Sequence, residues 1–313
     1  MRSGLNFGYP LPSGVVGLAR GREHWAKHFS DWDHLMRAPF HRSFLVIVGL
    51  AALPWMPSTA LAANAHQDGV LRILLMGSSL IRGVKSNLEN MLEAQGIEAD
   101  IRVLAPSLRT LAWHDASKRS MSFLTGKNAE AWDYVILQEN GGVQQYPPGM
   151  TNATSYQALR NLHEKITATG AKTLVFMVWQ DRSITPRSPA GDNRWQILKG
   201  DPGGTVGNVP IAFELNIGVI PVGWGVRAAR MEEGEYMDEM LYNGGMGHHL
   251  SPLGRYLGAC ATYAAILGKS PVGLASPGKL SAADASFVQS VAKNVVIDNQ
   301  ATWNLILTHV SPY

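Results

Sequence analysis

The chain has 313 residues, of which 46% are hydrophobic and 16% are charged, and this composition excludes an intrinsically disordered protein. A single cysteine, Cys260, excludes a disulfide framework and a cysteine-based zinc site. The formal net charge of +3 is carried by residues 1–65, so the rest of the chain is neutral. A neutral body has no net attraction for a phosphate backbone, and we expect no nucleic-acid partner.

The first 65 residues have the pattern of a targeting segment. Phe44–Leu53 is apolar but too short to span a bilayer, basic residues precede it, and A-x-A sequences at 60–62 and 63–65 follow it. This order is typical of a secretory signal. We predict a signal peptide over 36–65 with translation starting at Met36, a non-native extension over 1–35, and a periplasmic or secreted protein with no stable membrane span. A short membrane anchor is the alternative.

Residues 66–313 are predicted to form one domain in which strands and helices alternate. The predicted strands are continuous apolar runs, as expected for a parallel sheet covered on both faces. They are Leu71–Met76, Asp100–Leu104, Tyr134–Gln138, Thr173–Trp179 and Gly218–Val222. Helical patterns that end at a glycine cover Val84–Gln95, Tyr156–Thr169 and Pro252–Leu267. The pattern predicts an α/β fold, a three-layer αβα sandwich around a central parallel sheet of about five strands, flavodoxin-like in type.

Two further segments are set apart by their composition. Residues 181–210 are rich in glycine and proline and follow a strand, which predicts a long lid or binding loop at the carboxyl edge of the sheet. Residues 280–296 predict a C-terminal amphipathic helix that packs on the domain.

Two short motifs could carry chemistry. Gly77-Ser78-Ser79 lies between the first strand and the first helix, where a serine suits a nucleophile but also commonly caps a helix. His248-His249 precedes a late helix on a predicted loop, where a histidine could act as a general base. Adjacent histidines without a third ligand at a recognisable spacing do not indicate a metal site, so we expect no metal and no other cofactor.

Together these motifs resemble the SGNH (GDSL-like) hydrolases, and most closely their secreted, carbohydrate-associated members. The first block, Ile73–Ser79, resembles I-L-x-x-G-N-S, and Trp132–Glu139 resembles W-D-x-V-x-L-Q-E. Further matches, in family order, are Met177 and Trp179, Pro221-Val222-Gly223, and the H-x-S-x-x-G-x-Y-L residues His249, Ser251, Gly254, Tyr256 and Leu257. The resemblance spans Leu71 to Gly273 and implies an αβα sandwich and ester hydrolysis through an acyl-enzyme.

Residue by residue, the resemblance implies Ser79 as nucleophile and His249 as base. It implies an oxyanion hole formed by the backbone N–H of Ser79, a backbone N–H near Ser107, and the side-chain amide of Gln138 or Asn140. His248 is either a substrate contact or a bystander, and Trp113 and Trp179 are further candidates for substrate contact.

The chain departs from the family pattern at three positions. The acid of the D-x-x-H block is replaced by Met246, the Asn or Asp of the first block is Ser78, and the glycine of the second block is Ser107 or Leu108. Asp238 or Glu239 could supply the acid, or a backbone carbonyl could orient a Ser–His dyad.

The sequence therefore predicts a secreted serine esterase that hydrolyses small acyl esters, and the resemblance implies O-acetyl groups on polysaccharide as the substrate. Two alternatives stay open. One is a degenerate protein of the same fold that binds carbohydrate without turnover, and the other is a hydrolase of phosphoesters or lipids.

Overall fold

The computed structural model describes residues 69–125, 130–140, 152–186, 212–244 and 246–305. The predicted extension over 1–35, the predicted signal peptide over 36–65 and most of the predicted loop over 181–210 lie outside these residues. Within the described ranges, no helix combines the length and the hydrophobicity that a membrane crossing requires.

A single parallel sheet forms the centre of the domain. Its strands are β1 (Leu71–Met76), β2 (Ala99–Leu104), β3 (Tyr134–Leu137), β4 (Lys172–Phe176) and β5 (Gly218–Ile220). They lie in the order β2-β1-β3-β4-β5. Every side chain of β3 and β5 is buried, because both faces of the sheet are covered. The predicted three-layer sandwich with a five-stranded parallel sheet is confirmed.

Three strands end earlier than the apolar runs predict, and the first of them, β3, stops at Leu137 instead of Gln138. β4 stops at Phe176 and β5 at Ile220. The ends of β4 and β5 are explained by a contact between the segments that follow them. The carbonyl of Met177 accepts the N–H of Gly223, which already belongs to the following helix. Met177 and Trp179 therefore lie on an irregular segment at the carboxyl edge of the sheet.

Helices form the two outer layers. One layer contains α1 (Lys85–Glu93), α5 (Val222–Glu233), α7 (Pro252–Leu267) and α8 (Ala282–Val296), which pack against one another. The other contains α2 (Leu111–Ala116), α3 (Lys118–Leu124) and α4 (Asn152–Ala168). A short helix, α6 (Glu235–Met240), follows α5, and Ser281 caps α8.

The predicted loop that carries the two late histidines is in fact a strand. β6 (Tyr242–Asn243) and β7 (Met246–Leu250) pair antiparallel, with Tyr242 opposite Leu250. The carbonyl of Gly247 also accepts the N–H of Arg182 at 2.8 Å. His248 and His249 therefore lie on β7, between residues whose backbones are paired with β6 or hydrogen-bonded to Arg182.

The strand order creates the crevice in which a site is expected. β1 lies between β2 and β3. The chain therefore passes from β1 to β2 on one side, and the strands from β3 to β5 follow on the other side. Open α/β sheets bind ligands at the carboxyl ends of the strands at such a reversal. The Gly77-Ser78-Ser79 turn lies at this point.

Candidate active site

The turn after β1 is held tightly against the end of β3. A Cβ added at Gly77 would lie 2.6 Å from Oε1 of Gln138, so the position requires glycine. The same Oε1 accepts the N–H of Ser78 at 2.7 Å and its hydroxyl at 3.1 Å. Ser78 and Gln138 are both buried. The hydroxyl of Ser78 is thus occupied in the scaffold, which leaves Ser79 as the serine of this turn that faces the cavity.

A buried histidine, His114, is hydrogen-bonded to the same turn. Nε2 of His114 lies 2.8 Å from the carbonyl oxygen of Gly77, and Nδ1 lies 2.9 Å from Oγ of Ser120. A carbonyl only accepts, so Nε2 carries the proton and Nδ1 accepts from the serine hydroxyl. Burial lowers the pKa of His114, in keeping with a neutral ring. No sequence motif marks His114 as part of the site, because its partners Gly77 and Ser120 are brought to it by the fold.

Ser79 and His249 line one cavity of about 560 Å³. Both side chains are partly exposed. Among the described residues, the N–H of Ser79 has no acceptor, so it is available to stabilise an oxyanion. In the same part of the chain no hydrogen bond joins Ser79 to His249. Catalytic hydrogen bonds are often long without substrate and shorten in the complex.

The strand that carries His249 is positioned through its backbone. The indole N–H of Trp179 donates to the carbonyl of His248 at 3.0 Å. Ser251 caps α7 by accepting the N–H of Gly254 at 3.2 Å, and its own N–H donates to Leu241. A Cβ at Gly254 would overlap the carbonyl oxygen of Leu241. The serine and glycine of the H-x-S-x-x-G block therefore fix the backbone beside His249.

The surroundings of His249 favour a neutral imidazole. Burial lowers its pKa first, and electrostatic interactions with His248, Arg255 and Arg82 lower it further. The rings of His248 and His249 lie 4.6 Å apart. A neutral imidazole at neutral pH can accept a proton from Ser79, as a general base must.

The two predicted partners for His249 are bound elsewhere. Asp238 forms an ion pair with the buried guanidinium of Arg230. Glu239 has a side chain that is 76% exposed and lies 3.8 Å from Arg182. Among the described residues, no carboxylate contacts His249, and the side chain of Met246 lies outside them. Asp238 and Glu239 each interact with an arginine, and neither is the acid that partners His249 in this structure.

One carboxylate that the sequence analysis did not consider approaches β7. A Cβ added at Gly247 would lie 3.0 Å from Oδ1 of Asp181. Residues 247 and 249 share a face of the strand, because side chains alternate. Asp181 accepts the N–H and the hydroxyl of Ser183 at 2.9 and 2.8 Å. Asp181 is thus a carboxylate that lies beside β7 and is engaged by Ser183.

The proposed oxyanion-hole residues have different surroundings. Gln138 uses its amide N–H on the carbonyl of Glu139 and its oxygen on Ser78, so neither points freely at the cavity. Asn140 donates its backbone N–H to Glu139 at 2.6 Å. Ser107 is exposed and accepts from Arg82 at 3.4 Å. Leu108 has a φ of 60°, the left-handed backbone that glycine favours, which matches the glycine position of the second block.

The three predicted substrate contacts, Trp179, Trp113 and His248, differ in their surroundings. Trp179 is only 6% exposed and holds β7. Trp113 packs edge-on against His114 and beneath the guanidinium of Arg109, 5.0 Å away. His248 is exposed beside the site. Within the described ranges, no group of three His, Cys, Asp or Glu side chains could hold a metal ion.

The glutamate that ends the third block, Glu139, has a structural role. Glu139 is buried and accepts the N–H of Leu111 at the start of α2 and the hydroxyl of Ser155 on α4 at 2.6 Å. Burial raises its pKa, and these donors oppose the rise. Glu139 therefore links the second block to the third.

Comparisons with known proteins agree at the level of the fold. No protein-family model and no curated protein matches the sequence. A DUF4886 family protein from Bacteroides uniformis aligns with a TM-score of 0.57 and 18% identity, over 73% of this chain and 95% of that chain. At this identity the likeness concerns the fold alone.

Two other solved structures align less well. A candidate SGNH hydrolase from Slackia heliotrinireducens has 22% identity over 62% of this chain and 97% of its own, with a TM-score of 0.45. An acetylxylan esterase from Geobacillus stearothermophilus has 14% identity over 61% and 92%, with a TM-score of 0.46. The strand order and the alignment with the Bacteroides uniformis protein both describe an α/β fold around a five-stranded parallel sheet.

Proposed function

We propose that the protein is a serine ester hydrolase with Ser79 as nucleophile and His249 as general base. The observation that carries this proposal is that the two residues, far apart in the sequence, line one cavity at the carboxyl edge of the sheet. The unengaged N–H of Ser79 and the lowered pKa of His249 support the same roles.

The chemistry follows from these positions. Nε2 or Nδ1 of His249 takes the proton of Ser79 as Oγ attacks the ester carbonyl. The N–H of Ser79 and a second donor from the loop around Ser107 hold the oxyanion. The imidazolium then protonates the departing alcohol. The same histidine then deprotonates the water that attacks the acyl-enzyme, and its imidazolium returns the proton to Oγ of Ser79 as the carboxylic acid is released.

We also propose that the substrate is a small acyl ester of a carbohydrate and that the enzyme is secreted or periplasmic. The carbohydrate class is supported by the resemblance of the sequence blocks, and secretion by the apolar run Phe44–Leu53 with its A-x-A sequences. N-terminal sequencing of the protein from a fractionated bacterial host tests secretion. A mature start near residue 63 or 66 is expected, and a start at Met1 or Met36 would contradict cleavage.

A fluorophosphonate probe tests the nucleophile directly. The full chain is treated with the probe, and the adduct is located by intact and peptide mass. We expect one adduct on Ser79, no adduct in Ser79→Ala, and normal labelling in Ser86→Ala, which removes another serine of the same cavity. Labelling that persists in Ser79→Ala would contradict the proposal.

Carbohydrate binding without turnover is the second candidate. It is favoured by one observation, the lack of a described carboxylate at His249. A folded protein that takes no probe yet binds acetylated oligosaccharide in calorimetry would support this candidate over the first.

A further inference from the structure

The cavity that holds Ser79 and His249 has an unusual charge balance. Its charged lining residues are Arg82 and Arg255, and no aspartate or glutamate is among the lining residues described. Both arginines lie close enough to His249 to lower its pKa. The cavity is therefore cationic, although residues 66–313 as a whole are neutral.

Both guanidinium groups are held in place by backbone carbonyls. Nε of Arg82 donates to Ala105 at 2.6 Å, and Nε of Arg255 donates to Leu250 at 3.0 Å. Arg82 also reaches Oγ of Ser107 at 3.4 Å. Each group thus keeps further N–H donors for another acceptor, because a guanidinium carries five.

Neither arginine has an acidic partner among the described residues. Other arginines of the chain do, such as Arg160 with Glu214 at 2.7 Å and Arg230 with Asp238. Two unneutralised guanidinium groups in one cavity repel each other, and an anion between them would remove that repulsion.

A glycine makes room for one of the two. A Cβ at Gly83 would lie 2.6 Å from Cγ and 2.5 Å from Cδ of Arg255. The stem of Arg255 therefore crosses the short helix Ile81–Val84 at the one position without a side chain. This close fit fixes the stem of Arg255, which lines the cavity, while Arg255 and Arg82 both stay exposed to solvent.

We propose, building on the ester hydrolase function above, that the substrate carries an anionic oxygen group, a carboxylate in the first instance, which binds Arg82 and Arg255. Guanidinium donors match the geometry of carboxylate and phosphate oxygens. A uronate-type ester fits this description, whereas a neutral acetylated sugar leaves both charges unmatched.

The same anion would compensate for the missing acid of the site. Proton transfer from Ser79 creates an imidazolium at His249, beside His248, Arg82 and Arg255. A bound carboxylate neutralises the arginines and lowers the cost of that positive charge. The substrate thus supplies part of the electrostatic role that an aspartate fills in the D-x-x-H pattern.

A matched pair of esters tests the proposal with the full chain. The probes are 4-acetoxybenzoate and its neutral methyl ester, and kcat/KM for each is divided by its uncatalysed rate. We expect the ratio of anionic to neutral to exceed ten, and to fall about tenfold in Arg82→Gln and in Arg255→Gln. Arg255→Lys keeps the charge and should retain part of the preference. Arg160→Gln, on the surface, should leave the ratio unchanged.

Two further measurements strengthen the test. Gly83→Ala displaces Arg255 without changing the charge and should also lower the ratio. For 4-acetoxybenzoate the acid limb of kcat should lie at higher pH than that of kcat/KM, whereas for the methyl ester the two limbs should coincide. The kcat/KM for hydrolysis of the acetyl ester of 4-acetoxyphenyl phosphate reports whether a phosphate group can bind the two arginines in place of a carboxylate.

The outcomes separate this proposal from the function on which it rests. A wild-type ratio near one, or a ratio that both arginine-to-glutamine variants preserve, overturns the anionic subsite. If neither ester is hydrolysed, the hydrolase function fails. In that case, calorimetry with the Ser79→Ala variant still tests the anionic subsite. We expect 4-acetoxybenzoate to bind more tightly than its methyl ester, and equal binding would contradict the subsite.

Discussion

Two histidines on opposite sides of the Ser79 turn differ in how the fold holds them. His114 is fully buried, and both ring nitrogens have partners, Gly77 and Ser120. His249 is partly exposed, and its ring has no hydrogen-bond partner among the described residues. Burial lowers the pKa of both, but at His249 positive neighbours add to the effect.

The difference separates a positioning residue from a reactive one. The fixed tautomer of His114 maintains the backbone of the nucleophile turn and leaves the ring no proton to exchange with substrate. The ring of His249 keeps both nitrogens available, and its strand is held instead by Trp179 and Ser251. The scaffold thus positions the base without orienting its ring.

The largest effect is expected at His249 itself. His249→Ala should lower kcat/KM for 4-nitrophenyl acetate about 10³-fold, because the general base is lost. His248→Ala, which removes the adjacent exposed ring, should change it less than tenfold. Equal losses in the two variants would contradict the assignment of His249 as the base.

A large loss of stability is expected at His114. His114→Ala leaves the Gly77 carbonyl and the Ser120 hydroxyl without partners and opens a cavity, which should lower the free energy of unfolding by about 3 kcal/mol. Urea unfolding followed by circular dichroism measures this loss.

His114→Gln is the matched control, because an amide N–H can still donate to Gly77. The wild-type protein should lose stability as the pH falls below about 6.5, since burial keeps the pKa of His114 below its unfolded value. That part of the pH dependence should be absent from His114→Gln, and an unchanged slope would contradict the neutral tautomer.

The support of β7 is tested by two glycines of α7. Gly254→Ala forces a Cβ onto the carbonyl of Leu241 and should cost about 2 kcal/mol of unfolding free energy together with activity. At Gly258 a Cβ would lie 3.4 Å from Val84, close to ordinary contact. Gly258→Ala should therefore be neutral or stabilising by up to about 1 kcal/mol, and a similar loss in both would contradict the close approach at Gly254.

The titration of His249 should be visible in activity. Its lowered pKa means that the base stays neutral below the usual value of about 6.5, so the acid limb of kcat/KM for a neutral ester should lie below pH 6.5. Activity at pH 6.5 should exceed half of its maximum. An acid limb above pH 7 would indicate that a carboxylate pairs with His249 in solution.

The smallest effect is expected at Glu239. Its side chain is 76% exposed and 3.8 Å from Arg182, so Glu239→Gln should change the free energy of unfolding by less than about 0.5 kcal/mol and leave kcat unchanged. A loss of kcat of tenfold or more in Glu239→Gln, with normal stability, would identify it as the acid instead.

Much of the fold follows from local sequence patterns. The first strand, Leu71–Met76, and the helix Pro252–Leu267 have the predicted bounds, because an apolar run and a Ser251 cap act within a few residues. The end of β4 is three residues earlier than predicted, because it depends on where β5 turns into α5. The β6–β7 hairpin was missed, because its pairing joins residues that show no strand alternation.

The candidate site, like the fold, depends partly on local sequence patterns and partly on tertiary contacts. Sequence alone determined the sandwich, the turn that carries Ser79 and the motif around His249, since periodicity, glycine spacing and helix caps are local properties of the chain. Only the tertiary structure decided that Ser78 is engaged by Gln138, that Asp238 belongs to Arg230, and that Arg82 and Arg255 share a cavity with Ser79. These are contacts between distant segments, and the packing of helices around the sheet, rather than any pattern along the chain, selects which polar groups meet.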